Sequence, residues 1–330
     1  MKSIFDNTKF GSLDVSSRII RNGLWESQND SGKNLSQEVF DRYEKLAKNN
    51  VGVIVSELIS MYSHDRFSDF TDYINASSFI RDFREITSIA HENNTPILAQ
   101  IGFVNCNVNG KQMMEVNDLT LEDIRTIQAD YVVAAKKIKF AGFDGVELCI
   151  GNNFYLSRVM DPFENTRNDE YGGNVYNRVK MVLEIIKLIK KTTGLHVHCK
   201  VNLYKDEDDS FEICKILAEN GADSLQITRF LSPQYFRKGQ NQDMLVSFAD
   251  RVAKNVSIPV VLGGGMSDMD NITELLNNTD IDFISMQRPF VKDPAFLTQW
   301  KKEGHGKSEC KTCNNCYWKK ESVCLIKNGD

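Results

Sequence analysis

Short apolar runs alternate with longer amphipathic stretches along most of the chain. Several amphipathic stretches end in Gly or Asn, as at Asn50, Gly142 and Gly221, and a short run rich in β-branched residues follows each. Gly and Asn readily adopt the left-handed conformation that ends a helix. Apolar runs that are too short for a helix are typical of buried parallel strands. The pattern therefore predicts a repeated helix–strand unit.

Eight such runs are predicted to be strands. They are residues 18–24, 51–57, 96–102, 144–149, 196–202, 223–229, 258–263 and 282–287. Among the helices between them, one is predicted to begin with a capping box from Thr120 to Asp123 and to run to Ala141. Eight strands alternating with helices predict an α/β protein, a (β/α)8 TIM barrel. A doubly wound open sheet is the alternative, but no G-x-G-x-x-G follows an early strand.

Composition limits the function classes. The chain has 330 residues, 41% of them hydrophobic, and a net charge of −5 without basic clusters. This balance argues against a nucleic-acid partner, and the absence of a long apolar run argues against a signal peptide or a membrane segment. We expect a soluble cytoplasmic protein with one barrel over residues 1–304 and a Cys-rich extension of the same domain over 305–330.

A polar stretch of more than twenty residues follows the fourth predicted strand. Connections of this length inside a compact domain are usually functional loops or disordered segments. Apolar residues such as Phe154, Leu156, Met160 and Tyr171 give this loop its own anchors and argue against disorder. We therefore expect an ordered functional loop.

In a barrel of this kind the active site lies at the carboxyl ends of the strands, where the βα loops converge. This rule selects the candidate site residues. They are Leu24, Trp25, Glu26, Ser56, Glu57, Gln100, Cys149, Asn152, Lys200, Asn202, Thr228, Arg229, Gly263, Gly264, Gly265, Gln287 and Arg288.

The loops after strands seven and eight predict a phosphate site. Strand seven ends in Gly263, Gly264 and Gly265, whose backbone N–H groups can approach an anion without interference from a Cβ atom. Arg288 supplies a cation one strand along, beside a helix start. The alternative is a tight turn with Arg288 paired to a local carboxylate.

Half of the eight cysteines lie near the C-terminus. Cys310, Cys313 and Cys316 are separated by two residues each, and Cys324 follows. Thiols at this spacing can converge on one centre, and all-Cys ligation suits an iron–sulfur cluster or zinc. Unmetallated thiols are the alternative, and we interpret the remaining cysteines as ordinary thiols.

The region from 146 to 178 resembles a known family. It reads V-E-L-C-I-G-N-N-F-Y-L, then D-P-F-E-N-T-R-N-D-E-Y-G-G-N-V-Y-N-R from position 161. This closely resembles the strand-four loop of the old yellow enzyme family, which are FMN-dependent oxidoreductases. The resemblance implies an FMN-binding TIM barrel that takes its hydride from NADH or NADPH.

The same resemblance assigns cofactor contacts. It implies that Gly264, Gly265 and Arg288 bind the FMN phosphate, with Gln287 in place of the usual glycine. It implies that Gln100 bonds the pyrimidine edge of the flavin, and that Lys200 is the cation beside N1 and O2. The small residue that the family has near flavin N5 corresponds to Leu24. Relatives with a C-terminal [4Fe–4S] cluster have wider Cys spacing than this chain.

The substrate side departs from the family. The residues that hold the substrate carbonyl oxygen in the family correspond to Cys149 and Asn152, and the proton-donating Tyr corresponds to Phe154. An amide can still donate a hydrogen bond, a thiol donates weakly, and a phenyl ring does not donate. We assign catalytic roles to Cys149 and Asn152. The alternative for Cys149 is a small apolar side chain that only fills space in the interior.

Together these features predict an NAD(P)H-dependent flavin oxidoreductase. Hydride would pass from NAD(P)H through flavin N5 to a small electrophilic acceptor such as an enone or enoate. The alternatives are a degenerate FMN-binding protein, a redox sensor that uses the terminal cysteines, and a Schiff-base lyase that uses Lys200. We expect a small-molecule substrate, no nucleic-acid or membrane partner, and a possible homo-oligomer.

Overall fold

The computed structural model describes residues 1–23, 29–30, 34–63, 65, 72–106, 108, 114–203, 206–228, 242–317 and 324. The strands are β1 (Thr8–Phe10), β2 (Leu13–Val15), β3 (Ile19–Arg21), β4 (Asn29–Asp30), β5 (Asn34–Leu35), β6 (Val53–Ser60), β7 (Asp72–Tyr73), β8 (Ile97–Gly102), β9 (Gly145–Ile150), β10 (His196–Asn202), β11 (Ser224–Thr228), β12 (Val260–Gly263) and β13 (Phe283–Met286).

Eight of these strands form a closed parallel barrel. Strands β6, β8, β9, β10, β11, β12 and β13 pair in chain order, and β3 closes the barrel by pairing with both β13 and β6. Each barrel strand falls within one of the predicted runs or extends it by a few residues. The predicted (β/α)8 barrel is therefore confirmed.

Helices alternate with the strands along the chain. They are α1 (Gln37–Lys48), α2 (Phe79–Glu92), α3 (Leu121–Phe140), α4 (Tyr155–Met160), α5 (Val175–Thr193), α6 (Glu207–Glu219), α7 (Gln242–Ala253), α8 (Met269–Asn278), α9 (Arg288–Lys292) and α10 (Phe296–Glu303). The predicted capping box is present at α3, where the Thr120 hydroxyl and the Asp123 carboxylate each accept from the other residue's backbone N–H. Across the described ranges, no helix combines the length and apolar character that a bilayer crossing needs.

A hairpin that the sequence did not reveal covers the base of the barrel. Strands β1 and β2 are antiparallel and place Phe10 inside the barrel, where it is fully buried. Its ring stacks on His196 with centroids 4.9 Å apart and meets Phe283 edge-on at 5.1 Å. The hairpin turn contains Gly11 at φ 60°, a left-handed conformation that favours glycine. The hairpin therefore covers the barrel at the end opposite the predicted site.

The long loop after β9 is ordered by the polar residues of its own motif. Asn165 donates to the carbonyl oxygens of Val159 and Tyr171 at 2.6 and 2.8 Å. Arg167 donates to two carbonyls in the segment before α3. Arg178, which is 4% exposed, donates to the Met160 carbonyl and pairs with an α6 carboxylate. The motif that identifies this loop therefore fixes its backbone.

Replacement of Phe10 by Ala should destabilise the protein by about 3–5 kcal/mol, because it leaves a cavity inside the barrel beneath the hairpin. Urea unfolding followed by circular dichroism would measure this change. Phe163→Ala is the matched control, since that ring is 73% exposed and its loss should change the free energy of unfolding by less than about 0.5 kcal/mol. Equal effects of the two substitutions would contradict a stabilising role for the Phe10 ring at the base of the barrel.

Candidate functional site

A buried carboxylate connects the polar side chains beneath the mouth of the barrel. Glu147 on β9 is fully buried, and its Oε1 accepts from Gln100 Nε2 at 2.5 Å. Lys200 Nζ on β10 lies 3.6 Å from the same oxygen and donates to Asn22 Oδ1 at 3.1 Å. Ionised groups are retained in a protein interior when they are paired and hydrogen-bonded. Glu147 therefore fixes Gln100 and Lys200 beside each other.

Strand alternation explains why these residues face inward. In a barrel strand every second side chain points to the interior. Glu147 and Cys149 are two residues apart on β9, and the register places Cys149 opposite Lys200 on β10. Gln100 on β8 is opposite Glu147. The structure thus brings together Gln100, Cys149 and Lys200, three of the residues predicted from the sequence.

The substrate side is apolar around the thiol. A Cβ atom built at Gly102 would lie 3.0 Å from the Phe154 ring and 3.1 Å from Cys149 Cβ, so these three residues are in close contact. Cys149 is 2% exposed. Burial, and then the nearby Glu147, raises the pKa of the Cys149 thiol well above its ordinary value. The thiol is therefore protonated and can act only as a weak donor.

Asn152 lies in the turn that follows β9. Its φ is 55° and that of Asn153 is 61°, so two consecutive non-glycine residues are left-handed. Such backbone strain is often found at functional sites. The next tyrosine along the loop, Tyr155, is fully buried and stacks on Phe103 with centroids 5.1 Å apart. Tyr155 therefore belongs to the core and does not replace the phenol that Phe154 lacks.

The loops after β12 and β13 contain the predicted phosphate residues. Gly264 and Gly265 have φ values of 85° and 82°, which favour glycine, and a Cβ atom at Gly264 would meet no atom within 4 Å. Gly264 N–H donates to the Ser285 carbonyl. Gln287 Nε2 donates to the Gly23 carbonyl at 2.9 Å, so this side chain links β13 to β3.

Arg288 is the first residue of α9 and faces the C-terminal segment. Its Nη1 donates to Asn314 Oδ1 at 2.6 Å. The two residues line a cavity together with four thiols, those of Cys310, Cys313, Cys316 and Cys324. A guanidinium has five N–H donors, so a bond to Asn314 is compatible with an anion contact. The sequence did not predict that the cysteines would share a cavity with Arg288, the arginine of the predicted phosphate site.

The four thiols are not arranged as a metal site. Cys316 is 9% exposed and Cys313 is exposed, and all four are free thiols. Within the described part of the chain, no group of three or more His, Cys, Asp or Glu side chains is placed to hold a metal ion. The expectation of an iron–sulfur cluster or zinc therefore receives no support from the structure.

Two further polar residues of the site, Asn22 and Ser285, were not singled out in advance, whereas Asn202 was. Asn22 accepts from Lys200 and faces Gln226, and it follows directly on β3. Asn202 Oδ1 and Ser285 Oγ are buried and have no hydrogen-bond partner among the described residues. Their places at or near strand ends were the only signal in the sequence. Leu24, the residue predicted to lie near flavin N5, is outside the described residues.

Comparison with known proteins places this geometry in context. Residues 104–306 match the model of the NADH:flavin oxidoreductase / NADH oxidase family. Over 95% of its length the chain is 25% identical to an NADH oxidase of Thermoanaerobacter brockii and spans 52% of that protein. Over 95% of its length it is also 23% identical to a 4,4'-dithiodibutanoate disulfide reductase of Rhodococcus erythropolis and spans 92% of that protein.

The fold is also found among solved structures. The old yellow enzyme homologue from Zymomonas mobilis superimposes with a TM-score of 0.77 at 19% identity, over 92% of this chain and 93% of that one. At this identity the likeness shows the fold alone. The chain spans about half the length of the T. brockii relative and nearly all of the other two proteins.

The burial of the cysteines predicts their reactivity. The thiolate is the species that reacts with iodoacetamide. Exposed Cys313 should therefore be alkylated in the native protein, whereas Cys149, whose pKa is raised by burial, should react only after unfolding. Mass-spectrometric peptide mapping would measure both rates, with the urea-unfolded chain as control. Equal native rates at the two cysteines would contradict the buried position of Cys149.

Proposed function

Because this chain belongs to the NADH:flavin oxidoreductase / NADH oxidase family, we propose that it is an FMN-dependent NAD(P)H oxidoreductase of the old yellow enzyme type. The observation that carries the proposal is the adjacent pair of Gln100 and Lys200, held by one buried carboxylate at the closed barrel's interior. The family membership and this pair point to the same cofactor. The family is shown by the comparison, whereas the substrate and the use of NADH or NADPH are proposed.

The residues present fit a flavin. The buried oxygens of Asn202 and Ser285 lack partners among the described residues, and this leaves polar groups available to a heterocycle. A Cβ atom at left-handed Gly264 would meet no atom within 4 Å, so a phosphate has room to approach the backbone there closely. A planar ring with a phosphate tail therefore suits the polar groups of this barrel mouth.

When bound, FMN would accept hydride from NAD(P)H and pass it to a second substrate. In this proposal the protein's own residues bind the cofactor and orient it. Gln100 presents an amide to the pyrimidine edge, and the Lys200 ammonium offsets negative charge at that edge. Arg288 and the two glycines hold the phosphate.

On the substrate side, the Asn152 amide is the hydrogen-bond donor we assign to the acceptor molecule. Cys149 contributes a protonated thiol, and Phe154 contributes an apolar surface. We propose a small electrophilic acceptor such as an enone or enoate. The loss of the phenol favours one second candidate, an FMN-binding protein without ene-reductase activity.

Replacement of Arg288 by Ala should weaken FMN binding by about tenfold to a hundredfold. A charge-assisted hydrogen bond contributes about 1.5–3 kcal/mol, and about 1.4 kcal/mol is a tenfold change in affinity. Fluorescence titration of the folded apoprotein with FMN would measure it.

Two variants serve as controls for this titration. Asn314→Ala keeps the guanidinium and removes its partner in the Cys-rich segment, so it should bind FMN more tightly than Arg288→Ala. Arg251→Ala removes an exposed arginine of α7 and should leave the affinity unchanged. An unaltered FMN affinity in Arg288→Ala would refute the phosphate assignment.

Introduction of the family's donors should raise the rate of enone reduction. The double substitution Cys149→His with Phe154→Tyr supplies an imidazole and a phenol, and a positioned proton donor typically contributes about 10²–10⁴ in rate. We expect at least about a tenfold gain with a simple cyclic enone, measured as anaerobic NAD(P)H consumption. Each single substitution is the control. If the folded, FMN-loaded double variant gains nothing, the second candidate function is favoured.

A further inference from the structure

Four buried polar side chains form a series from the barrel base to Glu147, in which hydrogen bonds join the first three and a 3.6 Å contact leads to the fourth. The register places Glu147, His198 and Ser224 at one level on three adjacent strands. Ser224 Oγ lies 2.8 Å from His198 Nδ1 and 2.8 Å from Nε2 of His196, one layer lower. His198 Nε2 lies 3.6 Å from Glu147 Oε2. Each of the four residues is at most 3% exposed.

The surroundings of His198 determine which of its nitrogens carries the proton. Nε2 lies 3.6 Å from Oε2 of the Glu147 carboxylate. Within the described chain, neither of these two atoms has a hydrogen-bond partner, so they face each other across a gap slightly longer than a hydrogen bond. A proton on Nε2 is attracted to the facing carboxylate oxygen, whereas a lone pair there would be repelled by it. The favoured tautomer is therefore Nε2–H.

This tautomer fixes the direction of the whole chain. With the proton on Nε2, His198 Nδ1 accepts from the Ser224 hydroxyl. Since Ser224 then donates its only proton to His198, its oxygen must accept from His196 Nε2–H. Both hydrogen bonds therefore point from His196 towards His198, whose Nε2–H faces Glu147. Burial lowers the pKa of both histidines, that of His198 to about 3, so both rings are neutral.

The two ends of the chain lie in different surroundings. At the base, His196 Nδ1 has no partner among the described residues, and a Cβ atom at partly exposed Gly11 would lie 3.1 Å from it. The charged groups that influence this end are Asp144, Lys190 and Asp223. At the other end, Glu147 faces Lys200 and Gln100 in the proposed flavin site. The chain thus connects the hairpin turn to the cofactor side of the barrel.

We propose that these four residues are a proton relay that protonates Glu147 when electrons enter the flavin site. A proton arrives at His196 Nδ1, and the Nε2 proton of that ring passes to Ser224 Oγ. The hydroxyl proton passes to His198 Nδ1, and the Nε2 proton of His198 passes to Glu147 Oε2. One proton enters, one carboxylate becomes a carboxylic acid, and the other three groups stay neutral.

The charges at the site supply the reason for this uptake. The inference rests on the proposed function, in which negative charge added beside Lys200 draws that ammonium towards the cofactor. Glu147 then loses part of its only cationic contact among the described residues, and a buried carboxylate without a cation is favoured to bind a proton. Uptake of one proton neutralises the Glu147 carboxylate, so the site does not hold this negative charge and the added one at the same time.

The hydrogen-bond chain can be tested without any cofactor. Side-chain ¹⁵N NMR of the apoprotein reports the tautomer of each histidine. We expect neutral Nε2–H rings for both His196 and His198 at neutral pH, and a changed His198 signal in Ser224→Ala. A charged ring, or Nδ1–H at either position in the wild-type protein, would overturn the relay. His305→Gln identifies the signal of one exposed histidine and should leave those of His196 and His198 unchanged.

Proton uptake is tested by the midpoint potential of the FMN-loaded protein as a function of pH, with dithionite as the reductant. Each proton taken up with two electrons changes the equilibrium tenfold per pH unit, which is about 30 mV. Around neutral pH, the midpoint potential of the wild-type protein should fall more steeply with pH than that of Glu147→Gln, by about 30 mV per pH unit for the one extra proton. Equal slopes would overturn the relay and leave the flavin proposal intact. A protein that takes up no FMN would overturn both.

A kinetic measurement separates a relay from a purely structural layer. In Ser224→Ala the acceptor Glu147 remains, so the slope of potential against pH should equal that of the wild-type protein. Proton uptake after rapid mixing with reduced methyl viologen, whose oxidation releases no proton, should be at least about tenfold slower, because the bridge between the two rings is lost; a pH indicator would follow it. Ser88→Ala, on the exposed face of α2, is the matched control. Wild-type kinetics in Ser224→Ala would contradict the relay.

Discussion

The buried carboxylate of Glu147 is the interaction on which the rest of the site depends. A charge at this depth is retained only with close partners, and the barrel supplies them from the adjacent strands β8 and β10. Because those strands are fixed by the ladder, the carboxylate aligns Gln100 and Lys200 as well as His198. A single side chain thus organises the polar layer on which the proposed cofactor would rest.

The loop after β9, which carries the most recognisable motif of the sequence, has a structural role and not a chemical one. Asn165, Arg167 and Arg178 donate mainly to backbone carbonyls and so hold a long loop in one conformation. Cys149 and Phe154, which we propose to face the substrate, lie just before or at the start of this scaffold, and the resemblance implies other residues at both positions. A chain can therefore keep the loop that defines its family while the surface facing the substrate changes.

The barrel itself could be predicted because buried parallel strands have a strong local signature, and all eight strands were found. The Phe10 hairpin could not, since three-residue strands carry little periodicity and their role depends on distant His196. The site residues at strand ends followed from the topology of the barrel. The bond between Arg288 and Asn314 did not, because it joins segments whose relative position only the fold determines. Likewise, Cys spacing alone could not distinguish thiols that share a cavity from thiols that bind metal.

The most direct test of the proposed oxidoreductase is the visible spectrum of the FMN-loaded protein, titrated with NADH and with NADPH in the absence of oxygen. The account predicts that at least one of the two bleaches the oxidised flavin absorbance in proportion to the amount added, and that an acceptor restores it. A bound flavin that dithionite bleaches but neither nicotinamide reduces would contradict the account and leave a protein that binds FMN without using it.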